Sequence, residues 1–396
     1  MHKERWLLPD GIDEMLPPEA RLIEGLRRDI LDLFDSWGYE LVIPPLIEYL
    51  ESLLTGTGSD LDLQTFKLID QLTGRLLGVR ADMTPQVARM DAHRLRRDTP
   101  TRLCYLGTVL HTRADGFAGS RGPLQIGAEI FGHAGVESDL EVLHLMWRTL
   151  ELAGVSDIYL DLGHVGIFRS LARQAGLDPE QELELFEALQ RKAASEIAGM
   201  VEGFGLVQAP ARMLLELAEL NGDDALERAR ETLKGAAPAV LQTLDYLEQV
   251  AGRLAYFLPG VPVHFDLAEL RGYHYKTGVV FAAFVPSSGQ EVARGGRYDA
   301  IGQVFGRARP AVGFSTDLKT LLRLGPELAD RYRERDTVAA PWDRDPELQK
   351  TVESLRLAGR RVLTLLPGQE GDAAAMGCSG ILVREADGWR VRPLGE

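Results

Sequence analysis

Two cysteines, Cys104 and Cys378, are all that 396 residues contain, and neither stands in a metal-binding or redox spacing. That scarcity excludes a disulfide scaffold and a thiolate cluster, and it points to a reduced, cytoplasmic setting in which both thiols pack as ordinary side chains. Long apolar runs are missing as well. No stretch approaches the ~20 residues needed to cross a bilayer, and the charged opening Met1-His2-Lys3-Glu4-Arg5-Trp6 leads into no apolar segment of secretory type. Basic residues are in short supply: 44 Lys and Arg against 59 Asp and Glu give a net charge of −15. Nucleic-acid affinity draws on basic side chains that displace counterions. The clusters Arg94-Leu95-Arg96-Arg97 and Arg331-Tyr332-Arg333-Glu334-Arg335 are short and read as solvated helix faces. Neither a membrane nor a nucleic acid is an expected partner. The eight histidines include no pair at helical ligand spacing, so no zinc site is expected. Thr55-Gly56-Thr57-Gly58 lacks a P-loop lysine and Rossmann spacing, and reads as a mobile loop. No Gly-x-Ser-x-Gly elbow occurs. No metal or other cofactor is expected.

What is present suits a large domain with smaller additions: 45% hydrophobic and 26% charged residues. Apolar residues at Leu22, Ile23, Leu26, Ile30, Leu31 and Phe34 predict a helix, ended by Gly38. Glu40-Leu41-Val42-Ile43 reads as a buried strand stopped by Pro44-Pro45. Runs at Thr65–Ile69 and Arg75–Arg80 flank Thr73-Gly74 as a hairpin. Thr84-Pro85 has the form of an N-cap opening a helix, and Ser138-Asp139-Leu140-Glu141 that of a capping box. Further strands are expected at 102–110, 124–131, 158–162, 261–265, 278–284, 291–294 and 311–314, with a helix from Asp317 to Leu324. Helix formers dominate from 168 to 257. The reading is an α+β fold: a core over 1–167 and 258–324, a helical insertion over 168–257, a linker over 325–345 and a small α/β segment over 346–396, with a hairpin at Asp387-Gly388 favouring a type I′ turn. Strands in runs, with helices in blocks, favour an antiparallel sheet over a doubly wound one.

Several motifs follow in order: Arg80-Ala81-Asp82-Met83-Thr84-Pro85, Tyr105-Leu106-Gly107, Gln125-Ile126-Gly127-Ala128-Glu129, Arg271-Gly272-Tyr273-His274-Tyr275, Arg294-Gly295-Gly296-Arg297-Tyr298-Asp299 and Ala311-Val312-Gly313-Phe314. Over residues 8 to 322 this order resembles the catalytic domain of histidyl-tRNA synthetase, a class II synthetase core. The resemblance implies a six- or seven-stranded antiparallel sheet flanked by helices, and a dimer formed through the first helix and the strand ending at Pro45. It also implies a pocket for free histidine. Asp82 (a glutamate in that family), Thr84 and Gln125 would take the α-ammonium. Glu129 would face the imidazole, Tyr275 and Tyr298 would wall the ring, and Arg271 would meet the carboxylate. Such an arrangement suits a zwitterion. Taken one by one, the same residues have plainer readings: Thr84 as a helix cap, Glu129 as a solvated face or structural ion pair, Tyr275 and Tyr298 as core aromatics, and Gly295-Gly296 as a tight bend.

The departures from the synthetase pattern decide the expected function. The second-motif arginine position holds His111, with Arg113 at the companion glutamate position, and the third-motif arginine position holds Thr320. Adenylate formation depends on clamping phosphate charge in the transition state, so losing two clamps removes the chemistry. Lys276 stands where the histidine signature has a second tyrosine. The tail after the linker is too short for a full anticodon-binding domain. This combination resembles the ATP phosphoribosyltransferase regulatory subunit family. The resemblance implies no catalytic residues, assembly as a homodimer within a hetero-oligomer with the short-form catalytic subunit, and feedback inhibition by histidine at the start of histidine biosynthesis. The alternative is an enzyme: a divergent histidyl-tRNA synthetase, or an ATP-dependent ligase for a histidine-like acceptor.

Overall fold

The apolar spacing between Leu22 and Phe34 forms the helix Glu19–Ser36, which buries Ile23, Leu26, Ile30 and Phe34 along one stripe. Each such side chain contributes about 1.5–3 kcal/mol relative to exposure. Phe34 meets Phe314 edge-on, ring centroids 6.0 Å apart, and so fastens the helix to the main sheet. A computed structural model describes residues 6–56, 59–114, 120–270, 272–273, 275–332, 336–369, 371 and 373–394. The Thr57-Gly58 half of the expected mobile loop lies outside the described residues. The chain divides into two units, Met1–Leu328 and Ala329–Glu396.

The strands of the first unit are β1 (Glu40–Val42), β2 (Ile47–Tyr49), β3 (Phe66–Ile69), β4 (Leu76–Val79), β5 (Thr101–Thr108), β6 (Leu124–Phe131), β7 (Tyr159–His164), β8 (Asn221–Gly222), β9 (Val263–Asp266), β10 (Val279–Phe284), β11 (Glu291–Arg297) and β12 (Ala311–Asp317). Nine form one sheet in the order β1-β5-β6-β12-β11-β10-β7-β9-β8, and β2-β4-β3 form a second. The six strands from β5 to β7 pair antiparallel throughout, while β1 joins β5 and β9 joins β7 in parallel. The expected antiparallel sheet is therefore the centre of a larger mixed one. The fold is α+β, as expected. The expected hairpin pairs Phe66 with Val79 and Ile69 with Leu76.

Some local expectations need correction. The run at residues 40–43 is an edge strand with Leu41 and Ile43 exposed, because β5 is its one neighbour in the sheet. Ser138 and Asp139 do not cap a helix. They lie buried inside the helix Val136–Leu152, whose N-cap is Gly135. Tertiary partners hold them instead. Arg297 Nη2 donates to Asp139 Oδ1 (2.7 Å) and Ser138 Oγ (2.9 Å), and Tyr246 Oη donates to Asp139 Oδ2.

Between β7 and β9 run the helices Val165–Ala175, Pro179–Gln190, Ala194–Gly203, Gln208–Leu217, Ala225–Thr232 and Pro238–Phe257. Asp178 opens the second of them with a reciprocal capping box to Gln181. β8 pairs with β9, so this helical segment also adds an edge to the sheet.

In the second unit, β13 (Thr337–Ala340), β14 (Arg361–Thr364), β15 (Gly380–Glu385) and β16 (Gly388–Pro393) form a sheet in the order β14-β13-β15-β16. β13 falls inside the stretch expected to be a linker. It is buried throughout and pairs in parallel with both neighbours. Four residues ended by Pro341 are too short a run to stand out in a charged, proline-interrupted region. The β15–β16 hairpin turns at Ala386-Asp387, and Gly388, with φ 125°, already belongs to β16. Neither Ala386 nor Asp387 has positive φ, so the turn is not of type I′.

Candidate functional site

Alternation along β6 sends Gln125, Gly127 and Glu129 to one face of the sheet. Register then fixes their neighbours. Gly127 lies between Tyr105 and Ser315, Glu129 between Leu103 and Gly313, and Gln125 between Gly107 and Asp317. Two glycines keep this face open. A methyl group at Gly127 would overlap Tyr105 Oη, and one at Gly313 would overlap the Glu129 carboxylate. Gly295-Gly296 makes no bend. Both lie within β11, where side chains would strike Phe281, Gly313 O and Val279 O.

Over this face opens a cavity of about 380 Å³, lined among others by Asp82, Thr84 and Gln125. Asp82 Oδ1 accepts from Gln125 Nε2 (2.8 Å) and from the Thr84 N–H (3.0 Å), while Gln125 Oε1 accepts from the Met83 N–H (3.0 Å). Asp82 Oδ2 accepts no bond among the described residues. Thr84 makes no side-chain cap. Its hydroxyl donates instead to Glu129 Oε1 (3.2 Å) and lies 3.0 Å from Tyr105 Oη.

Glu129 is not solvated, and among the described residues it makes no ion pair. It is 1% exposed and receives bonds from Tyr105 Oη (2.9 Å), Tyr298 Oη and Thr84. Burial pushes its carboxyl up to about 8, against the opposing pull of the Tyr298 and Tyr105 hydroxyls. Tyr298 packs in the core with Met83, Val87 and Phe131. Neither Glu129 nor Tyr298 lines the cavity, so they lie behind Thr84 as a buried layer.

Tyr275 does line it, and so does Lys276, whose ammonium donates to Gly295 O (2.8 Å). Arg271 lies outside the described residues. Phe186 and Gln190 reach the same cavity from the helix Pro179–Gln190, with Phe186 stacked on Tyr273 at 4.8 Å. Arg169, from the helix Val165–Ala175, donates to Lys276 O (2.8 Å) and to Tyr273 O. The sequence reading missed Phe186, Gln190, Arg294 and Asp317 as cavity residues. Only the buried periodicity of Leu185, Phe186, Ala188 and Leu189 marked that helix as packed against something.

Residues 11–321 match the family model for histidyl-tRNA synthetase, and residues 335–392 match that for the ATP phosphoribosyltransferase subunit HisZ C-terminal domain. The ATP phosphoribosyltransferase regulatory subunit of Thioalkalivibrio sulfidiphilus is 60% identical over 393 residues, covering 98% of this chain and 99% of that one. The chain belongs to the ATP phosphoribosyltransferase regulatory subunit family. A solved structure from Bacillus halodurans, described as an ATP phosphoribosyltransferase regulatory subunit/histidyl-tRNA synthetase, superposes with a TM-score of 0.81 at 26% identity, covering 94% of this chain and 96% of that one. Histidyl-tRNA synthetase from Nostoc shares the fold, with a TM-score of 0.76 at 20% identity over 96% of this chain and 92% of that one.

His111 and Thr320, the two residues expected at the phosphate-clamp positions, have other partners. His111 lines the cavity, and its Nε2 lies 2.9 Å from Ala81 O. Thr320 is buried, its hydroxyl donating to Asp317 Oδ2 (3.0 Å) and accepting from Arg323 (3.0 Å). Arg113 is exposed and does not line the cavity. Asp317 does line it, its carboxylate also accepting from the Leu124 N–H (2.9 Å).

Elsewhere, carboxylate oxygens of Asp161, Asp266 and Glu269 lie within 4.8 Å of one another. Burial and the neighbouring Asp266 push Asp161 up to about 6, and Lys192 pairs with Asp266 at 2.7 Å. A lysine there already meets the charge that a cation would. Among the described residues, no helix is long and apolar enough to cross a membrane.

Proposed function

We propose that this chain is a non-catalytic, histidine-responsive regulatory subunit of ATP phosphoribosyltransferase. It sustains the short-form catalytic subunit in the first step of histidine biosynthesis and confers feedback inhibition by free histidine. One observation carries the reading: a cavity of about 380 Å³ lined by Asp82, Thr84 and Gln125 together with Asp317 and with His111, which on the synthetase resemblance stands at a phosphate-clamping arginine position. A neutral imidazole in place of a clamping arginine removes a fixed positive charge that would hold a triphosphate. Asp82 and Asp317 line the cavity with Lys276 and Arg294, a balance of charge that suits a zwitterion. Asp82, Thr84 and Gln125 take the ammonium, and Tyr275 walls the imidazole. Glu129 and Tyr298 act from the layer behind, and Arg271, on the synthetase resemblance, meets the carboxylate.

Self-association fits the exposed apolar edge of Leu41, Ile43, Leu46 and Ile47 beside Pro44-Pro45. The test is reconstitution. Purified chain should give no histidine-dependent pyrophosphate exchange from ATP, yet should raise the activity of an added short catalytic subunit. Exchange at a synthetase-like rate would falsify the regulatory reading in favour of a ligase.

A further inference from the structure

Among the described residues, Gln86, Arg89 and His111 each hold a side-chain atom out of solvent with no hydrogen-bond partner. Gln86 and Arg89 both bond to Glu48, and neither lines the cavity. His111 does line it, is 6% exposed, and its unpartnered atom is Nδ1.

The tautomer follows from the partner it has. A backbone carbonyl can only accept, so Nε2, 2.9 Å from Ala81 O, carries the proton and donates it. In a neutral ring Nδ1 is then a bare acceptor. The backbone is pinned at both polar atoms: the His111 N–H donates to Arg121 O (2.8 Å), and its carbonyl accepts from Arg121 Nε (3.0 Å). The residue is held in place with one acceptor unused among the described residues, a destabilising arrangement unless a donor arrives.

The position of the ring says which donor. Its anchor, Ala81, immediately precedes Asp82, in the segment whose Asp82 and Thr84, with Gln125, gather acceptors. A phosphate or carboxylate oxygen facing that lone pair would be repelled. An ammonium, with three N–H groups, can serve Asp82 and a second acceptor together.

We propose that His111 reads the ligand: its Nδ1 accepts a hydrogen bond from the α-ammonium of the bound amino acid, beside Asp82. This rests on the histidine reading above. The position that resembles a synthetase's phosphate-binding arginine thereby becomes a contact for the opposite charge. Because Nδ1 is sealed from solvent, the wall must give slightly as the ligand enters, as polar contacts at such sites commonly tighten only on occupancy.

Two substitutions separate the ring nitrogens. In His111→Gln the amide can still donate to Ala81 O from the place of Nε2, but the Nδ1 acceptor is gone. In His111→Asn the amide oxygen takes the place of Nδ1 and the Ala81 bond is lost. Calorimetry on the full chain would use histidine, histamine (no carboxylate) and imidazolepropionate (no ammonium), with thermal melts to verify folding. The expected result is about tenfold or greater weakening of histidine and histamine by His111→Gln. Imidazolepropionate should be unaffected, and His111→Asn should stay near wild type for all three. Equal losses on all three ligands, a loss on histidine and imidazolepropionate but not histamine, or the reverse ranking of Gln and Asn would each overturn the proposal. Wild-type protein that binds no histidine would sink the histidine reading itself, and this contact with it.

Discussion

Gly313 stands opposite Glu129 on neighbouring strands, so close that a methyl group there would overlap the carboxylate. The glycine is therefore a spatial requirement of the buried acid. Gly313→Ala must push Glu129 off the Tyr105, Tyr298 and Thr84 hydroxyls or move β12. Overpacking of this kind costs about 1–3 kcal/mol. Urea unfolding should show that loss together with weakened histidine binding. A neutral result would mean that the two strands can part without cost.

Arg297 and Asp139 form a second buried dependence, with side chains 6% and 0% exposed. The pair ties β11 to the helix Val136–Leu152, and Tyr246 adds the helix Pro238–Phe257. Asp139→Ala leaves the guanidinium short of its main counter-charge and should cost about 3–5 kcal/mol. Glu151→Ala, breaking the exposed pair with Arg148, should cost less than about 1 kcal/mol. Denaturant melts of the two variants should rank in that order.

The raised Glu129 carboxyl predicts a pH signature. Its folded value of about 8 lies well above the ordinary 4.5, so between those values the folded protein keeps a proton that the unfolded chain releases. Its contribution to stability is full below about pH 4.5 and is lost as pH rises through 8. Glu129→Gln cannot titrate, so its stability relative to wild type should climb between pH 5 and 9. His164, pushed down to about 4 by burial, works oppositely, losing stability as pH falls below about 6.5. The variant-minus-wild-type difference isolates Glu129. A flat difference would mean that Glu129 ionises normally in its layer.

Strand β10 was legible as an apolar run between Gly278 and Pro286, and β6 and β12 as short runs opening after Pro123 and Pro310, where local pattern suffices. Ser138-Asp139 matched a capping box in sequence, but Arg297 lies 158 positions from Asp139 and no local pattern announces it. Burial of β1 was inferred from hydrophobicity alone, which does not say whether a second strand lies alongside. The motif order brought Asp82, Thr84 and Gln125 to one cavity. It did not show that Glu129 and Tyr298 sit a layer behind. Phe186 and Gln190 entered through packing between segments nearly ninety residues apart, to which periodicity is blind.

On the proposed regulatory reading, the cavity matters to the cell only if its occupancy is felt elsewhere. Feedback then requires a coupling free energy between the histidine site and the catalytic partner, typically about 1–3 kcal/mol. Asp82 is the natural place to break it, because its carboxylate joins Thr84 and Gln125 and, among the described residues, keeps Oδ2 unengaged. Histidine should inhibit the assembled complex and leave the catalytic subunit alone unaffected. Asp82→Ala should relieve inhibition while the complex still elutes as one species in size-exclusion chromatography. If the effect is on affinity, linkage adds a stricter demand: histidine must weaken substrate binding by the same factor that substrate weakens histidine binding. Equal inhibition of the wild-type complex, the Asp82→Ala complex and the isolated catalytic subunit would place the feedback site on the partner and leave this chain a scaffold.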